Sequence, residues 1–219
     1  KLVGHEELIV RAVTDVADAA FSYGTIDVLD LGMVSMDKLV RGQISAMCGD
    51  AAFRYVEKVI ELAMNGQVDA TVTNAFNKEA VNLAGHHYSG HTEIYGELTG
   101  TRNYTMTLAH ANLRVVHVST HVSLREACER VKKQRVLDVI RTGYRACREM
   151  GLEHPRIGVA GLNPHSGEHG LFGWEEVNEI IPAVEELKAE GFPVAGPVGA
   201  DSVFHQAATG KYNSVLSLY

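Results

Sequence analysis

Short apolar, β-branched runs recur along the chain and predict strands at Thr25 to Leu31, Val68 to Thr73, Tyr104 to Leu108, Leu113 to Ser119, Arg156 to Gly161 and Ser214 to Tyr219. Between many of them the apolar positions shift to helical spacing. From Asp50 to Met64, residues Phe53, Val56, Val59, Ile60 and Ala63 fall on one helix face, and Asn65-Gly66 supplies a stop. Ser123-Leu124-Arg125-Glu126 is a capping-box pattern, in which Ser123 and Glu126 can satisfy each other's free backbone amides. The stripe Leu124, Ala127, Cys128, Val131 is interrupted by Lys132-Lys133-Gln134-Arg135, read as a solvated face, and resumes at Val136, Leu137, Ile140 and Tyr144. That predicts two helices, or one with a register break. A last helix runs from about Trp174 to Glu190; Glu175 and Glu176 suit the positive end of its dipole, and Pro182 should kink or restart it.

Alternating strands and helices predict an α/β protein whose largely parallel sheet is covered on both faces. No internal repeat, low-complexity tract or linker marks a boundary between lobes. The chain opens at Lys1 without a methionine and closes on a run that reads as a buried strand with nothing after it. The expectation is an incomplete catalytic unit over residues 1–219, lacking both ends of its fold.

Composition narrows the function classes. With 219 residues, 46% hydrophobic and 21% charged, the chain can bury a substantial core without disulfides. Twenty basic against 27 acidic residues leave a formal charge of -7, which argues against nucleic acid and anionic membrane surfaces as partners. Cys48, Cys128 and Cys147 are odd in number, far apart and without a Cys-x-x-Cys pair, as expected of reduced, buried thiols. No run is long and apolar enough for a membrane helix, and the first residues do not read as a signal peptide. A cytoplasmic enzyme is the expectation.

In open α/β sheets the site lies beyond the carboxyl ends of the strands, and three such segments are rich in polar residues. One runs from Thr71-Val72-Thr73-Asn74 to Gly90-His91-Thr92-Glu93; a second is Ser119-Thr120-His121; the third is Gly161-Leu162-Asn163-Pro164-His165-Ser166-Gly167-Glu168-His169-Gly170. Imidazoles on neighbouring strand ends can converge on one divalent cation, against the plainer reading of surface or hydrogen-bonded core histidines. His5, His110, His117, His154 and His205 lack such a setting and read as structural. The Gly161 to Gly173 stretch could alternatively hold a phosphate on backbone amides. Asp201 sits where a loop enters a short helix, as an N-cap or as an acid beside a metal. Glu93 and Glu168 read as helix-start and loop residues, and Lys78 as a solvated helix residue. Gly210-Lys211 is followed by tyrosine, so it is no P-loop, and no Gly-x-Gly occurs, so pattern alone does not suggest NAD.

The segments Asn77-Lys78-Glu79-Ala80, Gly90-His91-Thr92-Glu93, Thr120-His121, Gly161 to Glu168 and Ala200-Asp201-Ser202-Val203-Phe204 together resemble the 4-hydroxythreonine-4-phosphate dehydrogenase family, from about Lys58 to Tyr219. The resemblance implies the isocitrate/isopropylmalate dehydrogenase-like fold, with two lobes, a cleft, and NAD bound without a Gly-x-Gly-x-x-Gly loop. It implies His121 and His165 as metal ligands for zinc, magnesium or cobalt, His91 and Thr92 as substrate contacts, and Asp201 as a catalytic acidic residue near the metal. A third metal histidine lies in the family's Tyr-His-Asp-Gln-Gly motif, which Leu216-Ser217-Leu218-Tyr219 approaches; it comes from the partner subunit, which implies a homodimer.

The implied reaction is NAD-dependent, metal-dependent oxidation and decarboxylation of a small phosphorylated hydroxy acid. The substrate is 4-phosphooxy-L-threonine, as in pyridoxine biosynthesis, or 4-phospho-D-threonate or 4-phospho-D-erythronate. Gly85-His86-His87-Tyr88 and Phe204-His205-Gln206-Ala207 lean towards the threonate and erythronate branch. A metal-dependent lyase or hydrolase without a nucleotide, and a non-catalytic binding protein, are the competing readings.

Overall fold

The computed structural model describes residues 7–219 and divides into two compact units, one ending at Gly100 and the other beginning at Thr101. That boundary has no compositional mark in the sequence.

In the first unit β1 (Ile9–Val13) and β2 (Thr25–Leu29) form a parallel pair, followed by α1 (Ala46–Met64), α2 (Lys78–Leu83) and α3 (His91–Leu98). The apolar face of α1 supplies Phe53, Val56 and Ile60 to a core closed by Val81 of α2 and Ile94 of α3. Helix α1 starts four residues before Asp50 and stops at Asn65, with Gly66 at φ +68° as the turn residue. Gly49 lets α1 lie directly on α2, because a Cβ there would fall on the Ala80 carbonyl. The expected strand from Val68 to Thr73 does not form, and among the described residues no other segment pairs with it. Val72 is 93% exposed. A β-branched run has the propensity for a strand, but a strand exists only where a ladder partner takes its amides and carbonyls.

The second unit is built on a five-stranded sheet of order β3-β4-β7-β5-β6. It comprises β3 (Thr107–His110), β4 (Leu113–His117), β5 (Ile157–Ala160), β6 (Val194–Val198) and β7 (Ser214–Ser217). β3 is antiparallel to β4, and the other four strands run parallel. The run expected to start at Tyr104 joins the ladder only at Thr107, and β1 and β6 are strands that the apolar pattern did not show. Helices α4 (Leu124–Arg130), α5 (Lys133–Glu149), α6 (Ile181–Ala189) and α7 (Val203–Ala208) complete the unit.

Both faces of the sheet are covered. Leu216 and Val159 pack with Val136, Leu137 and Ile140 of α5 and Val184 and Leu187 of α6, whereas their neighbours Val215 and Ala160 pack with Val203 and Ala207 of α7. Alternate residues of a strand point to opposite faces, so a strand covered on both sides reads as a continuous apolar run, as β5 does.

The break between α4 and α5 falls at Val131 and Lys132, giving two helices. Only half of the capping box forms. Ser123 Oγ accepts the Glu126 amide at 3.2 Å, while the Glu126 carboxylate turns to Arg130 at 2.6 Å. The polar run after the break is not wholly solvated: Arg135 is half-buried and donates from Nε to Val118 O at 3.1 Å and from Nη2 to Tyr104 O at 3.2 Å. The last helix opens with one wide turn, Glu176–Ile180, and restarts as α6 with Pro182 in its first turn, where the missing amide costs nothing.

Among the described residues no helix is long and apolar enough to cross a membrane. The three cysteines are free; burial raises the Cys147 thiol above its ordinary pKa.

Candidate metal and substrate site

Three of the expected site residues follow the carboxyl ends of parallel strands in the second unit. His121 lies four residues beyond β4, His165 five beyond β5 and Asp201 three beyond β6. β4 and β5 both border β7, so about 10 Å separates the two strands that deliver the histidines.

The β4 exit is firmly placed. The Val118 amide donates to Ser217 O at 2.9 Å, Ser119 Oγ donates to Leu218 O at 2.9 Å, and Tyr219 Oη donates to Val122 O at 3.1 Å. Arg135, its pKa lowered by burial, holds Val118 O from the other side. His121 itself is exposed at φ +59°. A non-glycine residue in that region is uncommon and often marks a site where backbone strain serves a function.

The β5 exit carries the densest constellation. The Gly161 amide donates to Val198 O at 2.7 Å, extending the β5–β6 pairing into the loop. Asn163 Oδ1 then accepts the His165 amide at 3.0 Å and the Gly167 amide at 3.3 Å, an Asx-type turn. Five consecutive residues, Ser166 to Gly170, have positive φ, three of them not glycine. Each L residue held left-handed costs roughly 1–2 kcal/mol. The turn returns the Glu168 carboxylate to His165, whose Nδ1 lies 2.8 Å from Oε1, and the imidazole leans on the Phe172 ring with centroids 5.0 Å apart. Since the paired side chains are 61% and 49% exposed, their attraction is worth about 0–1 kcal/mol. That is too little to offset the backbone cost of the turn.

Glu176 supports this loop from beneath, a role the sequence reading missed. It is 1% exposed rather than a solvated dipole partner; Oε1 accepts the Leu162 amide at 2.8 Å, and Oε2 is buried without a partner. A Cβ on Gly167 would lie 2.7 Å from Oε2, so glycine is needed there. One signal was available: Glu176, Ile180, Ala183 and Leu187 share a helical stripe, and a carboxylate on an otherwise apolar stripe is seldom buried without a partner to hold.

Asp201 is exposed, and the residue that opens α7 is Ser202, so the N-cap reading of Asp201 does not hold. The chain turns one residue later than the polar pattern suggested. A Cβ on Gly199 would meet Pro164 O at 2.7 Å, so the loop carrying Asp201 runs against the loop carrying His165.

His91 and Thr92 occupy the first turn of α3, in the other unit. His91 Nε2 is buried without a partner, and its ring leans on Phe76 with centroids 4.2 Å apart. Burial, then the charge of Lys78, lowers its pKa, so the neutral imidazole is favoured. Glu93 Oε2 is likewise buried and unpartnered. Lys78 is exposed in the first turn of α2.

Of the histidines read as structural, His110, His154 and His205 are exposed, and His5 lies outside the described residues. His117 is half-buried with both ring nitrogens unpartnered.

The donor set fits a divalent cation in part. Two exposed imidazoles leave the ends of strands flanking β7, and one has a carboxylate 2.8 Å from its Nδ1, which leaves Nε2 outside that contact. Among the described residues, no three His, Cys, Asp or Glu side chains form a complete cage. No Gly-x-Gly-x-x-Gly turn is present, so no residue is assigned to a dinucleotide.

The architecture is the isocitrate dehydrogenase-like α/β fold with a mainly parallel central sheet. The chain belongs to the family described as pyridoxal phosphate biosynthetic protein PdxA, whose model matches residues 3–219. A Symbiobacterium thermophilum protein provisionally named D-threonate 4-phosphate dehydrogenase is 48% identical over 213 residues, covering 97% of this chain and 64% of the relative. A Fusobacterium nucleatum protein with the same provisional name is 46% identical over 213 residues, with the same shares covered. The crystal structure of 4-hydroxythreonine-4-phosphate dehydrogenase from Klebsiella pneumoniae superposes with a TM-score of 0.89 at 42% identity, over 97% of this chain and 66% of that one. A terephthalate 1,2-cis-dihydrodiol dehydrogenase from Burkholderia xenovorans matches at 28% identity with a TM-score of 0.64, over 97% of this chain and 64% of that one. The chain thus spans just under two thirds of the length of the curated relatives it matches.

Proposed function

We propose that this chain is the larger part of an NAD-dependent, divalent-metal-dependent dehydrogenase that oxidises 4-phospho-D-threonate, or the closely related 4-phospho-D-erythronate, and releases carbon dioxide from the resulting β-keto acid. The observation that carries the reading is the placement of His121 and His165 beyond the ends of two strands flanking β7, with Glu168 on Nδ1 of His165. The substrate class rests on the names of the relatives, which share 45–48% identity with this chain.

His121 and His165 are the residues that would hold a divalent cation, which would supply Lewis-acid polarisation of a substrate oxygen. The protein's part is orientation and proton handling. His91, kept neutral by burial, offers an unpartnered Nε2, and the Thr92 hydroxyl beside it completes a polar pair for the substrate. Lys78, whose charge already acts on His91, adds a cation suited to an acidic substrate. Asp201, an exposed carboxylate on the loop against Pro164, is suited to accept the hydroxyl proton. The family resemblance implies a homodimer in which the partner subunit supplies a third ligand. Three free thiols favour a cytoplasmic setting.

The test uses the full-length gene product with NAD and Zn²⁺, Mg²⁺ or Co²⁺, and follows NADH with 4-phospho-D-threonate, 4-phospho-D-erythronate and 4-phosphooxy-L-threonine. Metal-dependent NADH formation fastest with the first two is expected. Preference for 4-phosphooxy-L-threonine would move the protein to the pyridoxine pathway, and no NADH from any of the three would overturn the dehydrogenase reading.

A further inference from the structure

We infer that Glu168 is a positioning residue for the metal site: its carboxylate fixes the tautomer and ring plane of His165, so that Nε2 is the atom presented to the cation. The inference rests on the reading of His165 as a ligand.

Three observations support it. Glu168 Oε1 lies 2.8 Å from Nδ1, a distance at which an ionised carboxylate accepts the imidazole N–H and leaves the other ring nitrogen with its lone pair. The ring is also braced by Phe172, whose amide donates to Gly167 O at 3.1 Å, so the brace and the loop are tied together. Finally, the loop is held from several sides in a costly left-handed conformation. Asn163 Oδ1 binds the amides on both sides of Ser166, Glu176 binds the Leu162 amide, and the Leu171 amide donates to Glu168 O at 3.2 Å. Such anchoring is expected where the position of a side chain matters more than the stability its contacts contribute.

A neutral imidazole without that partner populates both tautomers, and in one of them Nε2 carries a proton and cannot ligate. The carboxylate also raises the basicity of the ligating nitrogen; removal of such outer partners typically weakens metal binding by about 10–100-fold.

The experiment compares full-length wild-type protein with the Glu168→Ala, Glu168→Gln and His165→Ala variants. Zn²⁺ affinity is measured by calorimetry, and the His165 tautomer of the metal-free protein by ¹⁵N chemical shifts followed over a range of pH. Expected are a tautomer population shifted towards the Nε2-lone-pair form in wild type, a smaller share of that form in Glu168→Ala with about tenfold loss of Zn²⁺ affinity, and recovery of both in Glu168→Gln, whose amide oxygen still accepts the N–H. If Glu168→Ala keeps both tautomer and affinity while His165→Ala loses metal, the inference alone is overturned. If His165→Ala binds Zn²⁺ as wild type does, the metal-site reading is overturned and this inference with it.

Discussion

Glu176, sealed from solvent at the start of the helical turn after the glycine-rich loop, accepts the Leu162 amide at 2.8 Å and so fastens the β5 exit three residues before His165. The same carboxylate presses its second oxygen against Gly167. One buried side chain thus holds the start of the loop that carries His165 and packs beside a glycine within it.

Glu176→Ala should therefore destabilise the protein by about 2–4 kcal/mol, through an unpaired buried amide and an unfilled cavity. Glu176→Gln, which keeps an acceptor for Leu162, should cost about 1 kcal/mol. Urea denaturation of both variants checks this, and an unchanged midpoint for Glu176→Ala would remove its supporting role.

His121→Ala and His165→Ala should each lower kcat/KM by more than about 100-fold, since loss of an outer partner of a metal ligand already costs about 10–100-fold. Circular dichroism should be unchanged, because both side chains are exposed. A variant with normal turnover and normal metal content would exclude that histidine from the site.

Stability should fall on mild acidification. Burial lowers the pKa of His117, and burial and then Lys78 lower that of His91. A histidine depressed below about 6.5 in the folded state is protonated first in the unfolded chain. Its contribution is therefore complete above that pH and is lost as the pH falls from about 6.5 towards the folded value. His117→Leu should flatten the pH dependence of the urea midpoint between about pH 7 and pH 5. A slope as steep as that of wild type would mean that His117 does not carry it.

Gly49→Ala should destabilise the first unit by about 1–3 kcal/mol, because the methyl would overlap the Ala80 backbone where α1 crosses α2. Gly66→Ala has open space around it and only the φ of +68° against it, so about 1 kcal/mol is expected. Thermal denaturation ranks the two, and the reverse order would contradict the close helix approach.

Much of the second unit was legible in the sequence because its strands are covered on both faces. The apolar run Ile157 to Ala160, and the Val215-Leu216 pair between the serines of β7, stand out without any knowledge of their partners. The break at Val131-Lys132, the stop at Asn65-Gly66 and the restart at Pro182 were equally local, each set by the backbone preferences of one or two residues. β6 was hidden by its glycine and proline, Val194-Ala195-Gly196-Pro197-Val198, whereas β1, Ile9-Val10-Arg11-Ala12-Val13, has strand-forming residues that the sequence reading passed over.

By itself the sequence determined the alternation of strands and helices and the residue types that gather after the strand ends, because periodicity and turn chemistry act over a few neighbours. Only the tertiary structure decided that β7 lies between β4 and β5, that Val68 to Thr73 finds no ladder partner among the described residues, and that Glu176 is buried beneath the His165 loop. Those outcomes depend on contacts between residues far apart in the chain, and no spacing along the sequence carries that distance.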